Sequence, residues 1–172
     1  SHEMNRSMFF AGGRVQSRLP ELDGDYSISL WFWNGMPTDS RGVTGWLWSR
    51  GYDHGIGSHG EHLGISGNST VPGKLCLESG DHAAIGKTIL QRWTWNHVVF
   101  VRKGDRLLVF LNGNEEPEIE MESSADCVQK LPNLYLGGKS NSEFNFEGRL
   151  DEFGVFDRAL NLKEVRSIFP VK

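Results

Sequence analysis

The sequence predicts an all-β protein, a two-sheet antiparallel β-sandwich with one short C-terminal helix. Short segments of alternating apolar and polar residues recur from Phe9 to Phe156, and Gly, Asn, Asp and Pro separate them. This spacing is typical of antiparallel sandwiches and differs from alternating strands and helices. The 172 residues are the size of one domain, and a sandwich of that length can bury a continuous core. We therefore expect a single core.

The composition excludes two classes of partner. Hydrophobic residues make up 38% of the chain and charged residues 23%, which is typical of a globular protein. The net charge of -4 gives no basic surface for nucleic acid. The longest apolar runs, at residues 98–101 and 107–111, are far shorter than the roughly 20 residues of a membrane helix. Neither nucleic-acid binding nor membrane insertion is expected.

The opening residues and the two cysteines bear on the parent protein and its compartment. The opening residues Ser1 to Met4 are typical of a cloning remnant, so residues 1–7 are expected to precede a domain at residues 8–172 of a longer, multidomain protein. Cys76 and Cys127 would permit one disulfide in an exported protein, and their spacing fits no zinc pattern. The sequence leaves a bridge and two free thiols equally open.

Turn chemistry supports the strand pattern at two places. Gly104 and Asp105 connect two β-rich runs as in a hairpin, and Asn112-Gly113 favours positive φ and a further antiparallel strand. In all, the alternation predicts strands at residues 8–10, 26–33, 45–49, 63–66, 74–78, 95–103, 106–111, 119–122, 134–137 and 146–156.

One helix is predicted near the C-terminus. Asn161 can cap it, and Glu164 lies three residues on, where a capping box needs it. Leu162, Val165 and Phe169 share one face. We expect about two turns of helix that dock on the sandwich through this face.

Five segments together resemble a known family. They are Tyr26-Ser-Ile-Ser-Leu-Trp-Phe32, Trp95-Asn-His-Val-Val-Phe-Val-Arg102, Leu107-Leu-Val-Phe-Leu-Asn-Gly113, Leu134-Tyr-Leu-Gly-Gly138 and Phe146-Glu-Gly-Arg-Leu-Asp-Glu-Phe-Gly-Val-Phe-Asp-Arg-Ala-Leu160. In this order they resemble laminin-G-like (LamG) domains of the concanavalin A-like lectin/glucanase superfamily. The resemblance implies a jelly roll with a concave face, which relatives use to bind glycans, other proteins or calcium. Fold alone does not fix the ligand.

A candidate glycan site begins at Trp46. On a regular strand Trp46, Trp48 and Arg50 would share one face, and a sugar ring is held by a flat aromatic beside forked donors and acceptors. The alternative is that both tryptophans lie in the core and the polar residues form a solvated loop. The candidate ligand-binding residues here are Trp48, Arg50, Tyr52, Asp53, His54, His59 and His62.

The histidine spacing and a second pair of tryptophans bear on a metal site and on ligand stacking. The spacing of His54, His59 and His62 fits no standard zinc site, so a metal is not expected there. Trp31 and Trp33 lie on the opposite strand face from Leu30 and Phe32, which makes Trp33 a candidate to stack on a ligand. The alternative is that the closing helix or a loop covers both tryptophans.

Asp151 is the candidate metal ligand. The family resemblance suggests an Asp at this position that helps to hold a structural calcium ion or ties down the N-terminal strand. Calcium needs six to eight oxygens, and only backbone carbonyls near Gly12 can be nominated as helpers. The alternative is an Asp that satisfies backbone donors in a turn.

An acidic strand raises the possibility of catalysis. Glu118, Glu120 and Glu122 resemble the acidic strand of laminarinase-type glucanases, which use two carboxyls about 5–5.5 Å apart. The middle residue is Glu where that motif has Asp, and the acids alternate with Ile119 and Met121 as on any strand with one wet face. They can equally protect a sheet edge.

The sequence therefore favours a non-catalytic binding module with a glycan or polysaccharide as its ligand. No catalytic residues are assigned, and a structural calcium ion is the one cofactor considered. We expect an extracellular or cell-envelope location. The alternatives are a structural or protein-binding domain that packs on neighbouring domains of the parent protein, and a β-glucanase.

Overall fold

The computed structural model confirms the predicted β-sandwich and describes residues 7–19, 22, 24–51, 60–128 and 131–169. Its elements, in chain order, are β1 Met8–Ala11, β2 Val15–Arg18, β3 Tyr26–Asn34, β4 Val43–Gly51, β5 Glu61–Ser66, β6 Leu75–Ser79, β7 His82–Ile85, β8 Trp95–Lys103, β9 Arg106–Leu111, β10 Ile119–Glu122, β11 Asn133–Leu136, β12 Glu147–Phe156 and α1 Leu162–Ser167.

The strands form two antiparallel sheets of six. The first, which we call the β3 sheet, has the order β1-β12-β3-β8-β9-β10, and the second, the β4 sheet, has the order β2-β11-β4-β5-β6-β7. The core lies between them, where Phe32 and Phe100 of one sheet meet Trp48, Leu63 and Leu77 of the other. Each sheet therefore has one inner face in the core and one outer face.

The turns predicted from sequence are present. Gly104 has a φ of 58° in the turn between β8 and β9, and Asn112 and Gly113 both have positive φ, at 53° and 72°. Two strands were not predicted, β2 and β7. Both are edge strands whose side chains are mostly exposed, so their sequences carry little of the apolar alternation that marks a half-buried strand.

The predicted helix is confirmed together with its capping box. The Asn161 side chain accepts from the Glu164 N–H, and the Glu164 side chain accepts from the Asn161 N–H. The helix buries Val165 against Val99 and Phe110 on the outer face of the β3 sheet. No helix among the described residues is long and apolar enough to cross a membrane.

The structure describes Cys76 without a disulfide. Its thiol is free and buried, and burial raises its pKa to about 12. A thiol in this state is protonated and inert at neutral pH.

Candidate functional site

A β-bulge in β4 divides the predicted site. Trp46 lies opposite Gly64 and Trp48 lies opposite Leu63, so two steps along β4 match one step along β5. Such an extra residue moves the following side chains to the other face. Trp46 therefore lies on the outer face of the β4 sheet, whereas Trp48 and Arg50 point inward. The prediction that all three share a face is wrong.

Trp48 and Arg50 belong to the interior. Trp48 is fully buried and packs edge-on against Phe100, with ring centroids 5.0 Å apart. The Arg50 guanidinium lies 4.6 Å from the Tyr26 ring centroid, and its Nη2 donates to the Leu131 carbonyl at 3.2 Å. Neither side chain can meet a ligand from solvent, so assigning them to the binding site was wrong, and for Trp48 the core alternative is correct.

A buried ion pair lies in this part of the core. Arg102 on β8 donates through Nε to Glu61 Oε1 on β5 at 2.9 Å, and the Tyr26 hydroxyl also donates to Glu61. Burial raises the pKa of Glu61, against the opposing effect of the Arg102 charge. Because removing one partner would leave a buried charge uncompensated, this pair ties the two sheets together.

Neighbouring side chains cover Trp46 on the outer face of the β4 sheet. The Lys139 ammonium lies 3.9 Å from the Trp46 ring centroid and pairs with Glu78. His62 lies beside Trp46, bonds Ser49 through Nδ1 and is buried. Burial lowers the pKa of His62 well below its usual value, and the Lys139 charge lowers it further.

The remaining predicted loop residues lie outside the described part of the chain. They are Tyr52, Asp53, His54 and His59. Of this predicted group, only His62 is described on an outer face, beneath neighbours that cover it.

An open row of aromatic and arginine side chains crosses the outer face of the β3 sheet. Phe9 lies opposite Arg149, Arg149 opposite Trp33, and Trp33 opposite Trp95. Since neighbouring strands are about 4.8 Å apart, the four positions span roughly 14 Å. Phe9 is 63% exposed and Trp95 39%. We call these four residues the open row.

Arg149 lies between two aromatic rings of the open row. The Arg149 guanidinium lies 5.9 Å from the Phe9 ring centroid and 5.9 Å from the Trp33 ring centroid, at the outer limit of cation–π range. Among the predicted ligand-binding residues that the structure describes, Trp33 is the one that is partly exposed.

A second aromatic-arginine pair adjoins the open row through Gly35. Arg92 donates to the Gly35 carbonyl from Nε at 2.9 Å and from Nη2 at 2.6 Å, and a Cβ on Gly35 would lie 3.3 Å from the Trp33 ring. The same guanidinium lies 4.4 Å from the ring centroid of Trp93, which is 61% exposed. The exposed surface therefore continues from Trp33 to Trp93.

Trp31 is covered, in contrast to Trp33. It is only 8% exposed and stacks on Phe169, with centroids 5.5 Å apart and an interplanar angle of 23°. His97 lies 5.0 Å from Trp31 and bonds the Ser29 hydroxyl. Burial lowers the pKa of His97 to about 4. The alternative that the closing segment covers these tryptophans is therefore right for Trp31.

Asp151 lies at a bulge in β12, where the register shifts between Asp151 and Gly154. Its Oδ1 accepts from the Glu152 N–H at 3.0 Å. No group of three or more His, Cys, Asp or Glu in the described residues could hold a metal ion, and one carboxylate is far short of the oxygens that calcium takes. The described residues therefore offer no cluster of acidic side chains at Asp151, and the calcium ion stays a prediction.

The acidic strand is engaged in structural contacts. Glu118 accepts from the backbone N–H groups of Lys87 and Thr88 and from the Thr88 hydroxyl, so it joins the edge of the β3 sheet to the loop after β7. Glu120 pairs with Arg106 at 2.5 Å. These partners account for the Glu118 and Glu120 carboxylates without a substrate.

Comparison with known proteins agrees with this fold. Residues 10–166 match the Laminin_G_3 profile of the concanavalin A-like lectin/glucanases superfamily. The chain belongs to this family. The superfamily contains both glycosidases and binding modules, so membership leaves open which of the two this domain is.

Three similar proteins illustrate the range of proteins that contain such a domain. A botulinum-like toxin, eBoNT/J of an Enterococcus species, is 25% identical over 157 residues, which cover 84% of this chain and 12% of the toxin. Domain 4 of AbnA, an extracellular arabinanase of Geobacillus stearothermophilus solved in complex with arabinotriose, has a TM-score of 0.73 at 19% identity, over 98% of this chain and 78% of that one. A Trypanosoma rangeli sialidase has a TM-score of 0.70 at 15% identity, over 95% of this chain and 27% of that one.

Proposed function

We propose that this domain is a non-catalytic carbohydrate-binding module and that the open row is its binding surface. The observation that carries the proposal is the in-register row Phe9, Arg149, Trp33 and Trp95, which leaves three aromatic rings accessible on one sheet face. Large aromatic side chains normally contribute to a core. A contiguous exposed set marks a surface for a partner.

The chemistry of the row suits a sugar chain. The C–H face of a sugar ring packs on an aromatic ring, and its hydroxyls need donors and acceptors at the edge. Arg149 offers a fork of donors between Phe9 and Trp33. A rigid sheet also holds these groups at a fixed spacing, which lowers the entropy lost on binding.

The relatives support this assignment. Domain 4 of AbnA has the same fold and was solved with arabinotriose, and the matched segment is a small part of both the toxin and the sialidase. We infer a module within a larger extracellular or envelope-associated protein. A shallow row binds one glycan weakly, and neighbouring modules would raise the avidity.

A non-catalytic role is part of the same proposal. Glu118 and Glu120 are held by Thr88 and Arg106, so each carboxyl already has a structural partner, unlike the catalytic pair of a glucanase. Incubation with β-glucans should release no reducing ends at high protein concentration. Release that disappears in Glu118→Gln, with the fold retained, would assign the domain to the glucanases instead.

The decisive experiment is a broad polysaccharide and oligosaccharide array, followed by calorimetry on the hits. Trp33→Ala and Trp95→Ala should each lower affinity by about tenfold, because each removes one stacking surface. Phe144→Ala is the matched control, since Phe144 is 36% exposed and lies outside the row. Circular dichroism confirms that each variant is folded.

Two outcomes would overturn the proposal in different ways. Unchanged affinity in both folded tryptophan variants would remove the open row from the site. Silence of the folded protein on every glycan, with calcium and again with a chelator, would favour a domain that binds proteins or neighbouring domains. Loss of binding with the chelator alone would support the predicted calcium ion.

A further inference from the structure

Two exposed arginines, Arg149 in the open row and Arg92 beside it, have no acidic partner among the described residues. Arg149 and Arg92 take part in none of the six ion pairs in this part of the chain. The cations that do are Arg41, Arg102, Arg106, Lys139, Arg158 and Arg166. In a chain of net charge -4, this places positive charge without a paired carboxylate on one aromatic surface.

The acids nearest Arg149 on its own strand are already engaged. Glu147 and Asp151 lie two residues to either side of Arg149, on the same face. Glu147 lies 3.7 Å from Arg41, and Asp151 accepts from the Glu152 N–H. The Arg149 side chain has one weak hydrogen bond in the described residues, to the Ser7 hydroxyl at 3.4 Å. Among the described residues, the rest of its fork of donors has no partner.

The position of this fork between two rings suits a planar anion. Arginine is a planar donor that matches a carboxylate or a sulfate with two parallel hydrogen bonds. With Phe9 and Trp33 on either side of the guanidinium, less side-chain freedom is lost when an anion binds.

Trp93 extends the surface and has no evident role in the fold. Its φ of 63° is a left-handed conformation that bulky residues avoid, and its N–H donates to the Asn34 carbonyl at 3.0 Å. Its ring is mostly exposed and lies under the Arg92 guanidinium. Neither backbone preference nor burial explains a tryptophan here, whereas contact with a ligand would.

We propose that the open row takes an acidic glycan, whose carboxylate or sulfate pairs with Arg149 and whose chain continues past Arg92 onto Trp93. The inference rests on the proposed function and narrows it. The neutral sugar faces stack on the aromatic rings, and the anion supplies the counter-charge that the two arginines lack.

The test compares matched pairs of oligosaccharides by calorimetry at fixed ionic strength. The carboxylated probes are oligogalacturonate, alginate and hyaluronan fragments, each beside its carboxyl-reduced form. The sulfated probe is a heparin fragment beside its desulfated form. At least one acidic probe should bind about tenfold or more tightly than its neutral counterpart, the usual contribution of a hydrogen-bonded charge. The two arms also tell carboxylate from sulfate.

Variants separate this pairing from general electrostatics. Arg149→Met should abolish the preference for the acidic form. Arg106→Met is the matched control, because it removes the same charge from an exposed arginine of the same sheet that already pairs with Glu120, and it should leave the preference intact. Trp93→Ala should weaken acidic and neutral probes several-fold alike.

Each of the contrary results would overturn one specific part of the proposal. Equal binding of acidic and neutral forms, or binding of neutral glycans alone, would overturn the acidic ligand and leave the carbohydrate module standing. An equal loss of preference in Arg149→Met and Arg106→Met would reduce the effect to net charge and overturn the pairing with Arg149. Failure of every glycan on the array would overturn the proposed function together with this inference.

Discussion

Trp31 and Trp33 lie on the same face of the same strand, two residues apart, and have opposite environments. Trp31 is under Phe169 beside His97, at the end of the outer face that the closing segment covers. Trp33 lies in the open row beside Arg149. The strand pattern alone assigns both tryptophans to one face. Only the C-terminal segment that ends at Phe169 divides that face into a covered end, at Trp31, and an accessible end, at Trp33.

The largest expected difference is in stability. Trp31→Ala should cost about 3–5 kcal/mol, as for other large-to-small changes at buried aromatics, while Trp33→Ala should cost on the order of 1 kcal/mol or less. Urea denaturation of both variants measures this. Equal losses would mean that Trp33 is as much part of the fold as Trp31, and would remove the distinction between the two ends.

The local features of the fold were predictable from sequence. The turns at Gly104 and Asn112-Gly113 and the capping box of Asn161 and Glu164 are set by residues close together in the chain. Hydrophobic alternation marked ten of the strands because one of their faces is buried. The edge strands β2 and β7 lack that signal.

The site was much less predictable. The bulge between Trp46 and Trp48 is a single extra residue that no turn motif announces, and it reverses the face of Trp48 and Arg50. The open row joins positions 9, 33, 95 and 149, which meet only through the register of four strands. Alternation does say that Trp33 shares a face with Trp31, but register depends on pairing between distant segments, and this sequence contains no local signal for it.

Removing the Phe169 ring should make the covered end of this face, at Trp31, more like the accessible end at Trp33. Phe169→Ala should destabilise the domain by about 2 kcal/mol, because Phe169 is only partly buried and loses one stacked ring. Trp31 should become accessible to acrylamide quenching. The added quenching should vanish in a Trp31→Phe background, and if it persists there, another tryptophan has been uncovered.

Acid should act on the covered end through His97. Its folded pKa of about 4 lies below its usual value of 6.5, so the unfolded chain takes up the proton first as pH falls. The stability from neutral His97 is present above about pH 6.5 and is lost progressively towards pH 4. In denaturation at several pH values, His97→Gln should flatten this part of the profile.

Other groups, His62 and Glu61 among them, titrate in the wild type and in His97→Gln alike. Their effects on stability therefore cancel in the difference between the two pH profiles. Parallel wild-type and His97→Gln profiles between pH 6.5 and 4 would show that the covered end does not exclude the proton. Glycan affinity at pH 7 should be the same in both proteins.

The smallest expected effect on stability comes from the N-cap of α1, the helix that leads to Phe169. Asn161→Ala removes the side-chain acceptor for the Glu164 N–H and should cost about 1 kcal/mol, whereas Asn161→Asp should retain most of the stability. Amide hydrogen exchange should rise in α1 and leave Trp33 and Trp95 protected as before, because the open row depends on strand pairing and not on the helix. A matching loss of protection in β3 and β12 would show that the two ends form one cooperative unit, in which case the helix stabilises the binding surface as well as covering Trp31.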